Sequence, residues 1–342
     1  MAHDGALTVG LVGYGDAGRG IHARLAREAG HRVTHVVVRD PGRRSAAAQD
    51  WPGVVLHDDV ASLVQAGDPP EVVVVASPTG LHTEHTQALL AAGLPTVVDK
   101  PLALDAEGAA HLVVRSQQTG TPLTVFQNRR WDAEQLTLAA VLEQGLLGAV
   151  HTFERRWERW RPVPRDRWKE NAVGQGGGLL LDLGSHLVDS AVQLFGPVTG
   201  VHAELRSLTT PTEDDVFLSL RHRDGVVSRL WAGSLVGAPG PRTRVLGDAG
   251  AYLVTSFETE VTPYAPLSPP GDHEGLLVRG DEVTPVVRAS GEHADFYRGV
   301  ARWLRDGAAV PDDPGDAVRT AAGLDAARRS ARTGCEQEPG AF

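Results

Sequence analysis

The sequence predicts an α/β protein: an N-terminal doubly wound parallel sheet, then a C-terminal α+β domain with a large, mostly antiparallel open sheet. Three observations predict it. Strands alternate with helices in short units over the first 125 residues. A glycine-rich turn, "GYGDAG", joins the first strand to the first helix. Beyond residue 126 the pattern changes to long polar–apolar alternations broken by hairpin signals.

In order, "ALTVGLVG" (6–13) is an apolar strand, and "GRGIHARLAREAG" (18–30) has helical spacing and stops at Gly30. "RVTHVVV" (32–38) is the second strand and "GRRSAAAQDW" (42–51) a short helix. "GVVLH" (53–57) is a third strand, followed by a helix over 59–66. "EVVVVASP" (71–78) is a continuous apolar run, the signature of a strand buried on both faces. A helix (81–93), a strand (95–101), a helix (105–120) and a strand (122–127) complete the first domain, 1–125.

The second domain, 126–342, opens with a helix over 132–145. Alternating segments at 149–160, 198–208, 215–235 and 242–256 read as an antiparallel sheet, with "RDG" (223–225) and "GDAG" (247–250) as hairpin turns and a helix over 178–195 after the first strand. Stretch 257–291 is rich in Pro and Gly and is expected to be irregular. Helices at 292–306 and 314–333 close the chain, the last one a candidate to pack back on the first domain.

Composition narrows the function. A net charge of −10 argues against nucleic acid or an anionic membrane as partner. One cysteine, Cys335, excludes an internal disulfide and a cysteine zinc cluster. No apolar run approaches the ~20 residues of a membrane span, and no basic leader opens the chain, so the expected compartment is the cytoplasm. All but two of the 33 basic residues are arginine. The two lysines, Lys100 and Lys169, therefore stand out, because a compact ammonium does chemistry that a guanidinium does poorly.

Gly13, Gly15 and Gly18 have the G-x-G-x-x-G spacing of a dinucleotide turn, and Tyr14, Asp16 and Ala17 lie within it. Gly13 permits the tight turn, Gly15 lets backbone approach a pyrophosphate, and Gly18 lets helix pack on strand. The second strand ends "VVVRDPGRR". An acid here would hold the ribose hydroxyls of NAD; in this register the position is Val38, and Arg39, Arg43 and Arg44 follow. Three guanidinium groups suit a 2′-phosphate, which favours NADP over NAD. A shift of one residue would place Asp40 on the ribose instead. At the end of a later strand, Ser77, Pro78, Thr79 and His82 are placed to line the cofactor, while His82 and His85 without a third ligand read as a helix face and not a metal site.

Asp99 and Lys100 end the next strand, where Pro101 fixes the turn. A lysine there can hold an alcohol or carbonyl oxygen. In "GGGLLLDLGSHLVD" (176–189), Asp182 and His186 interrupt a leucine run four residues apart, on one helix face. His186 can take a hydroxyl proton near neutral pH, and Asp182 can contact substrate. Gly176, Gly177 and Gly178 before the helix would let a ligand approach closely. Asn128, Arg129 and Trp131 after the last strand, and Arg156 and Trp168 further on, are candidate substrate contacts, although sheet packing or a subunit interface is the favoured reading for most of the tryptophans.

These motifs, in this order over essentially the whole chain, resemble the glucose–fructose oxidoreductase / inositol dehydrogenase (Gfo/Idh/MocA) family. The resemblance implies a Rossmann domain followed by a sheet domain whose open face makes dimers or tetramers. It places Lys100 at the lysine of the "E/D-K-P" motif, with Asp99 where Glu is usual. It places Asp182 and His186 at the "D-x-G-x-H" motif. "VFQNRRWD" and "RWERWRPVPRDRWKE" are similar to the branch of NADP-dependent scyllo-inositol dehydrogenases. The expected activity is alcohol–ketone interconversion on a cyclic polyol or sugar. A different carbonyl or imine substrate, or a non-catalytic NAD(P)-binding sensor, is the alternative.

Overall fold

The computed structural model describes residues 5–165, 168–172, 176–256 and 262–341, without the side chains of Trp168 and Lys169. The chain forms two compact units, Met1–Asn128 with Glu292–Val318 and Arg129–Gly291 with Arg319–Phe342. Among the described residues no helix is long and apolar enough to cross a membrane.

The first unit holds a six-stranded sheet, β1 (Thr8–Val12), β2 (Arg32–Val37), β3 (Val55–His57), β4 (Val72–Val75), β5 (Thr96–Asp99) and β6 (Leu123–Phe126). All pairings are parallel and the order is β3-β2-β1-β4-β5-β6, the doubly wound arrangement that the alternation predicts. Between the strands lie α1 (Arg24–Glu28), α2 (Pro41–Asp50), α3 (Val60–Val64), α4 (His82–Ala91) and α5 (Ala106–Thr119). Every residue of β4 is buried, as its unbroken valine run requires. A π-helical turn, Gly18–Ala23, leads into α1. A Cβ on Gly18 would sit 2.1 Å from the Gly13 carbonyl oxygen, and one on Gly13 2.7 Å from that of Ala76. Glycine at both positions is therefore a packing requirement.

The second unit opens with α6 (Ala133–Glu143) and contains β7 (Val150–Glu158), α7 (Trp168–Asn171), α8 (Ser185–Phe195), β8 (Val198–Arg206), β9 (Asp215–His222), β10 (Val227–Gly233), β11 (Thr243–Gly247) and β12 (Gly250–Val254). Two more strands, β13 (His273–Arg279) and β14 (Glu282–Val287), follow. They correct the expectation of an irregular 257–291. "RGDE" forms a tight turn with Gly280 at φ +62°, and Pro285 is tolerated because β14 is the edge strand. Residues 257–261 lie outside the described residues. The eight strands run in the order β14-β13-β12-β11-β7-β10-β9-β8, antiparallel except for β7 with β10. The chain closes with α9 (Ala294–Asp306) and α10 (Pro314–Thr333). In the first unit α9 lays Phe296 and Tyr297 against Phe126, with ring centroids 4.9 and 5.9 Å away.

Alternation along β7 separates two environments. Phe153 and Trp157 face α8, their rings 5.2 Å from Phe195 and 5.6 Å from His186. Arg155, on the same face, meets a buried charge cluster in which Glu134 accepts from Arg242 at 3.2 Å and from Thr243 at 2.6 Å, with an Arg155 nitrogen at 3.5 Å. Nearby, Arg130 grips Asp189 with two bonds of 2.9 and 2.7 Å, both side chains buried. Removing one partner of such a buried pair leaves the other charge uncompensated in the interior, which is strongly destabilising. Asp189→Ala is expected to lower the unfolding free energy by about 3–5 kcal/mol in a urea titration.

Candidate active site

The cofactor-binding candidates sit around the carboxyl end of the first unit's sheet. A cavity of about 740 Å³ is lined by Tyr14, Gly15, Asp16, Asp40, Arg43 and Trp51, among others. The Arg43 guanidinium hangs over Gly15, whose missing Cβ would lie 3.7 Å from it. Gly15 thus leaves backbone exposed beside a cation, while Gly13 and Gly18 are consumed by packing. This division of labour fits a dinucleotide, whose pyrophosphate needs open backbone and whose 2′-phosphate needs positive charge.

The three arginines after the second strand do not act as one cluster. Arg39 Nε donates to the Asp58 carbonyl at 2.9 Å, and Arg44 donates to the Val38 carbonyl at 2.9 Å and to the Asp58 carboxylate at 2.7 Å. Of the three, only Arg43 lines the cavity. Asp40 caps α2, its Oδ1 accepting from the Arg43 amide at 2.8 Å. Sequence reasoning missed Arg19 and Asp50 on the same cavity. Asp50 accepts from Tyr14 Oη at 2.9 Å and from Arg19 Nε at 2.7 Å. Burial and the Asp50 charge push the Tyr14 hydroxyl up to about 12, so it remains a donor.

Ser77, Pro78 and Thr79 follow β4, with Thr79 opening a 3₁₀ turn into α4. Ser77 Oγ lies 3.0 Å from His85 Nδ1. His82 is fully buried, and both its ring nitrogens face backbone carbonyls, that of Pro101 at 2.8 Å and that of Ser77 at 2.9 Å. It ties two loops together, a different position from the cofactor-lining one expected for it. Asp99 ends β5 and its Oδ1 accepts from the Lys100 amide at 2.9 Å; the Lys100–Pro101 peptide is cis. Burial works against the Asp99 charge, but the His22 contact and the positive field of Lys100 outweigh it, leaving its pKa below the usual carboxylate range.

In the second unit, Asp182 lies in a π-helical turn, Leu180–Gly184, and His186 in the first turn of α8. The expected single α-helix is thus a π turn running into an α-helix, a form of distortion often found at functional sites. Gly178, at φ +98°, serves a different partner than the one expected. A Cβ there would meet the Glu213 carboxylate, whose Oε1 accepts from the Leu180 amide at 3.0 Å and fixes the start of this turn. His186 lies beside Trp157, and the guanidinium groups of Arg129, Arg242 and Arg159 stand 4.8, 4.8 and 5.2 Å from the Trp157 ring centre. Arg129 also pairs with Asp132 at 3.1 Å. Asn128 and Trp131 belong to a short 3₁₀ turn that includes Arg129.

Arg156, expected on the substrate side, is corrected by strand parity. One residue from Trp157, it points to the other face of the sheet, 3.9 Å from the Trp231 ring centre and 3.1 Å from Glu154. Parity in "ERRWERW" separates Trp157 from Arg156, and the contact with His186 shows that Trp157 is on the α8 side. Trp168 lies in α7, and its side chain is outside the described residues. Among the described residues no group of three His, Cys, Asp or Glu side chains is placed to hold a metal ion.

Comparison with known proteins gives these residues a family. Residues 7–127 match the oxidoreductase family with an NAD-binding Rossmann fold, and residues 136–253 match the GFO/IDH/MocA C-terminal domain. The scyllo-inositol 2-dehydrogenase (NADP(+)) IolW of Bacillus subtilis is 29% identical over 95% of this chain and 94% of its own length. The uncharacterized oxidoreductase YdgJ of Escherichia coli is 34% identical over 72% of this chain and 70% of its own. The solved YPO2259 structure from Yersinia pestis superposes with a TM-score of 0.85 at 29% identity, covering 98% of both chains. With both domains matched and the fold shared end to end, the chain belongs to the GFO/IDH/MocA family of NAD-binding oxidoreductases.

Proposed function

We propose that this protein is an NADP(H)-dependent dehydrogenase that interconverts a secondary alcohol and a ketone on a cyclic polyol or sugar. The observation that carries the reading is Lys100, one of two lysines in an arginine-rich chain, standing at the carboxyl end of β5 beside an ionised Asp99. The names of relatives support it: scyllo-inositol 2-dehydrogenase, D-glucoside 3-dehydrogenase and inositol 2-dehydrogenase 2.

A nicotinamide cofactor, when bound, supplies the hydride acceptor or donor. The chain's own residues do the rest. Gly15 and the start of the π-helical turn hold the dinucleotide, Gly13 and Gly18 set the close packing that shapes this turn, and Ser77, Pro78 and Thr79 border the nucleotide. Lys100 holds the reacting oxygen and offsets negative charge that develops on it. His186 accepts the hydroxyl proton in oxidation and returns it in reduction. Asp182 hydrogen-bonds the substrate, and Asn128, Arg129 and Trp131 are assigned to further substrate contacts. NADP is favoured over NAD through Arg43, the one arginine of its cluster that lines the cavity, with Asp40 occupied as a helix cap. The sheet face opposite α8, carrying Arg156, Trp231 and Glu154, is assigned to homo-oligomer contact.

Lys100→Ala is expected to lower kcat by roughly 10²–10³-fold with NADP⁺ and scyllo-inositol, with NADP⁺ affinity kept within about twofold; wild-type turnover would remove Lys100 from the chemistry. Loss of a charge-assisted phosphate contact in Arg43→Ala should weaken NADP⁺ binding by about 10-fold or more and leave NAD⁺ binding unchanged, read by fluorescence titration. Equal losses for both nucleotides would contradict the phosphate assignment. Light scattering is expected to give a dimer or tetramer, and Trp231→Glu to shift it toward monomer.

A further inference from the structure

Behind Lys100 and the partly buried Asp99, the first unit buries two polar side chains, His22 and Tyr297, to which the proposed chemistry gives no role. Asp99 Oδ1, which accepts from the Lys100 amide, also faces His22 Nε2 at 3.6 Å. On the other side of that imidazole, His22 Nδ1 lies 2.6 Å from the Tyr297 hydroxyl. His22 comes from the π-helical turn of the dinucleotide motif and Tyr297 from α9. Both are fully buried, and Phe126 packs on the His22 ring at 5.0 Å between centroids. The backbone of Tyr297 is itself pinned. Its carbonyl faces His31 Nε2 at 3.0 Å, while His31 Nδ1 accepts from the Leu7 amide at 3.3 Å.

The direction of the hydrogen bonds follows from what each atom can do. His22 Nε2 makes no hydrogen bond of ordinary length, and the atom it faces is a carboxylate oxygen, an acceptor. A lone pair at Nε2 would oppose that carboxylate in a dry interior. A proton on Nε2 satisfies that carboxylate, and in the tautomer that carries it Nδ1 is the acceptor to which Tyr297 donates. Burial, then the Asp99 charge, hold the Tyr297 hydroxyl well above its ordinary pKa, so it keeps the proton this requires. The charged and titratable groups around Asp99 are His22 from the helix side, His82 from α4, Tyr297 from α9 and Lys100 from its own strand end.

We propose that Tyr297 and His22 are positioning residues for the reaction: Tyr297 fixes the tautomer of His22, His22 orients the Asp99 carboxylate, and Asp99 sets the place and the charge of Lys100. The proposal rests on the catalytic reading of Lys100. It also links the dinucleotide helix to the catalytic lysine through one line of contacts.

The test separates the relay from the chemistry. Heteronuclear NMR of the whole protein should find the His22 proton on Nε2 and not on Nδ1 in the wild type and a tautomer mixture in Tyr297→Phe. With two lysines in the chain, reductive ¹³C-methylation follows Lys100 directly, Lys169→Arg assigning the signals. Asp99→Asn should lower the Lys100 titration midpoint by about one pH unit, since a neighbouring anion is lost. With NADP⁺ and scyllo-inositol, Tyr297→Phe should reduce kcat about 10-fold through misplacement while KM for NADP⁺ stays within about twofold. The acid limb of its pH profile should move up, because a less supported Asp99 protonates sooner. His22→Gln, which keeps a donor toward Asp99, should retain more activity than His22→Leu. A proton on His22 Nδ1, an unmoved Lys100 midpoint in Asp99→Asn, or wild-type kcat and pH profile in Tyr297→Phe would each overturn the relay. Turnover surviving in Lys100→Ala would overturn the catalytic reading instead, and the His22 and Lys100 resonances would still decide the relay.

Discussion

A partly buried carboxylate held in its ionised form organises the chemical end of the first unit. Asp99 sits at the last position of β5, where burial alone would drive it to take up a proton. It stays charged because His22 meets it on one side and Lys100 follows it in the chain, with His82 contributing to the field. Removing an ion from water costs several kcal/mol unless opposite charge and hydrogen bonds replace the solvent. The parallel sheet makes this possible, since its carboxyl edge gathers the turn after β1, the loop after β4 and the end of β5 in one place.

The glycine turn and this carboxylate are parts of one construction. Gly18 admits no side chain because the Gly13 carbonyl fills the space, which draws the first helix tightly onto β1. The π-helical turn that begins there carries His22, buried and directed at Asp99. A helix set further from the sheet would not bring that imidazole within reach. In the second unit another π-helical turn precedes the helix bearing His186, and Glu213 rather than a ligand fills the space at Gly178. Local departures from the α-helix thus accompany both groups of functional candidates.

Much of the fold was legible because its signals are local. The unbroken valines of β4, Gly30 and Gly120 as helix stops, and the turns at Gly225 and Gly250 announce their elements from a few neighbouring residues. The β13–β14 hairpin was hidden by the proline and glycine content around it, and an edge strand tolerates Pro285 where a central one would not. Lys100 stands out by its rarity and its place at a strand end, and Asp182 and His186 by their spacing read together with it. Their surroundings do not. His22 and Tyr297 are 275 residues apart, and nothing near either one advertises the other. The arginine cluster announces positive charge in the sequence but not its geometry, since Arg39 turns to the Asp58 carbonyl and Arg44 to the Val38 carbonyl and the Asp58 carboxylate. Arg156 and Trp157 show the same limit: strand parity was available in the sequence, but which face would carry the helix was not.

Transfer of the substrate's own carbon-bound hydrogen to NADP is the event on which this account stands. It is followed most directly by incubating the protein with NADP⁺ and carbon-deuterated scyllo-inositol and weighing the nucleotide product. The account predicts reduced nicotinamide that carries one deuterium, together with the corresponding inosose. Reduced nucleotide of ordinary mass would contradict direct hydride transfer, and absence of reduction with scyllo-inositol and with other inositols and hexoses would contradict the polyol assignment.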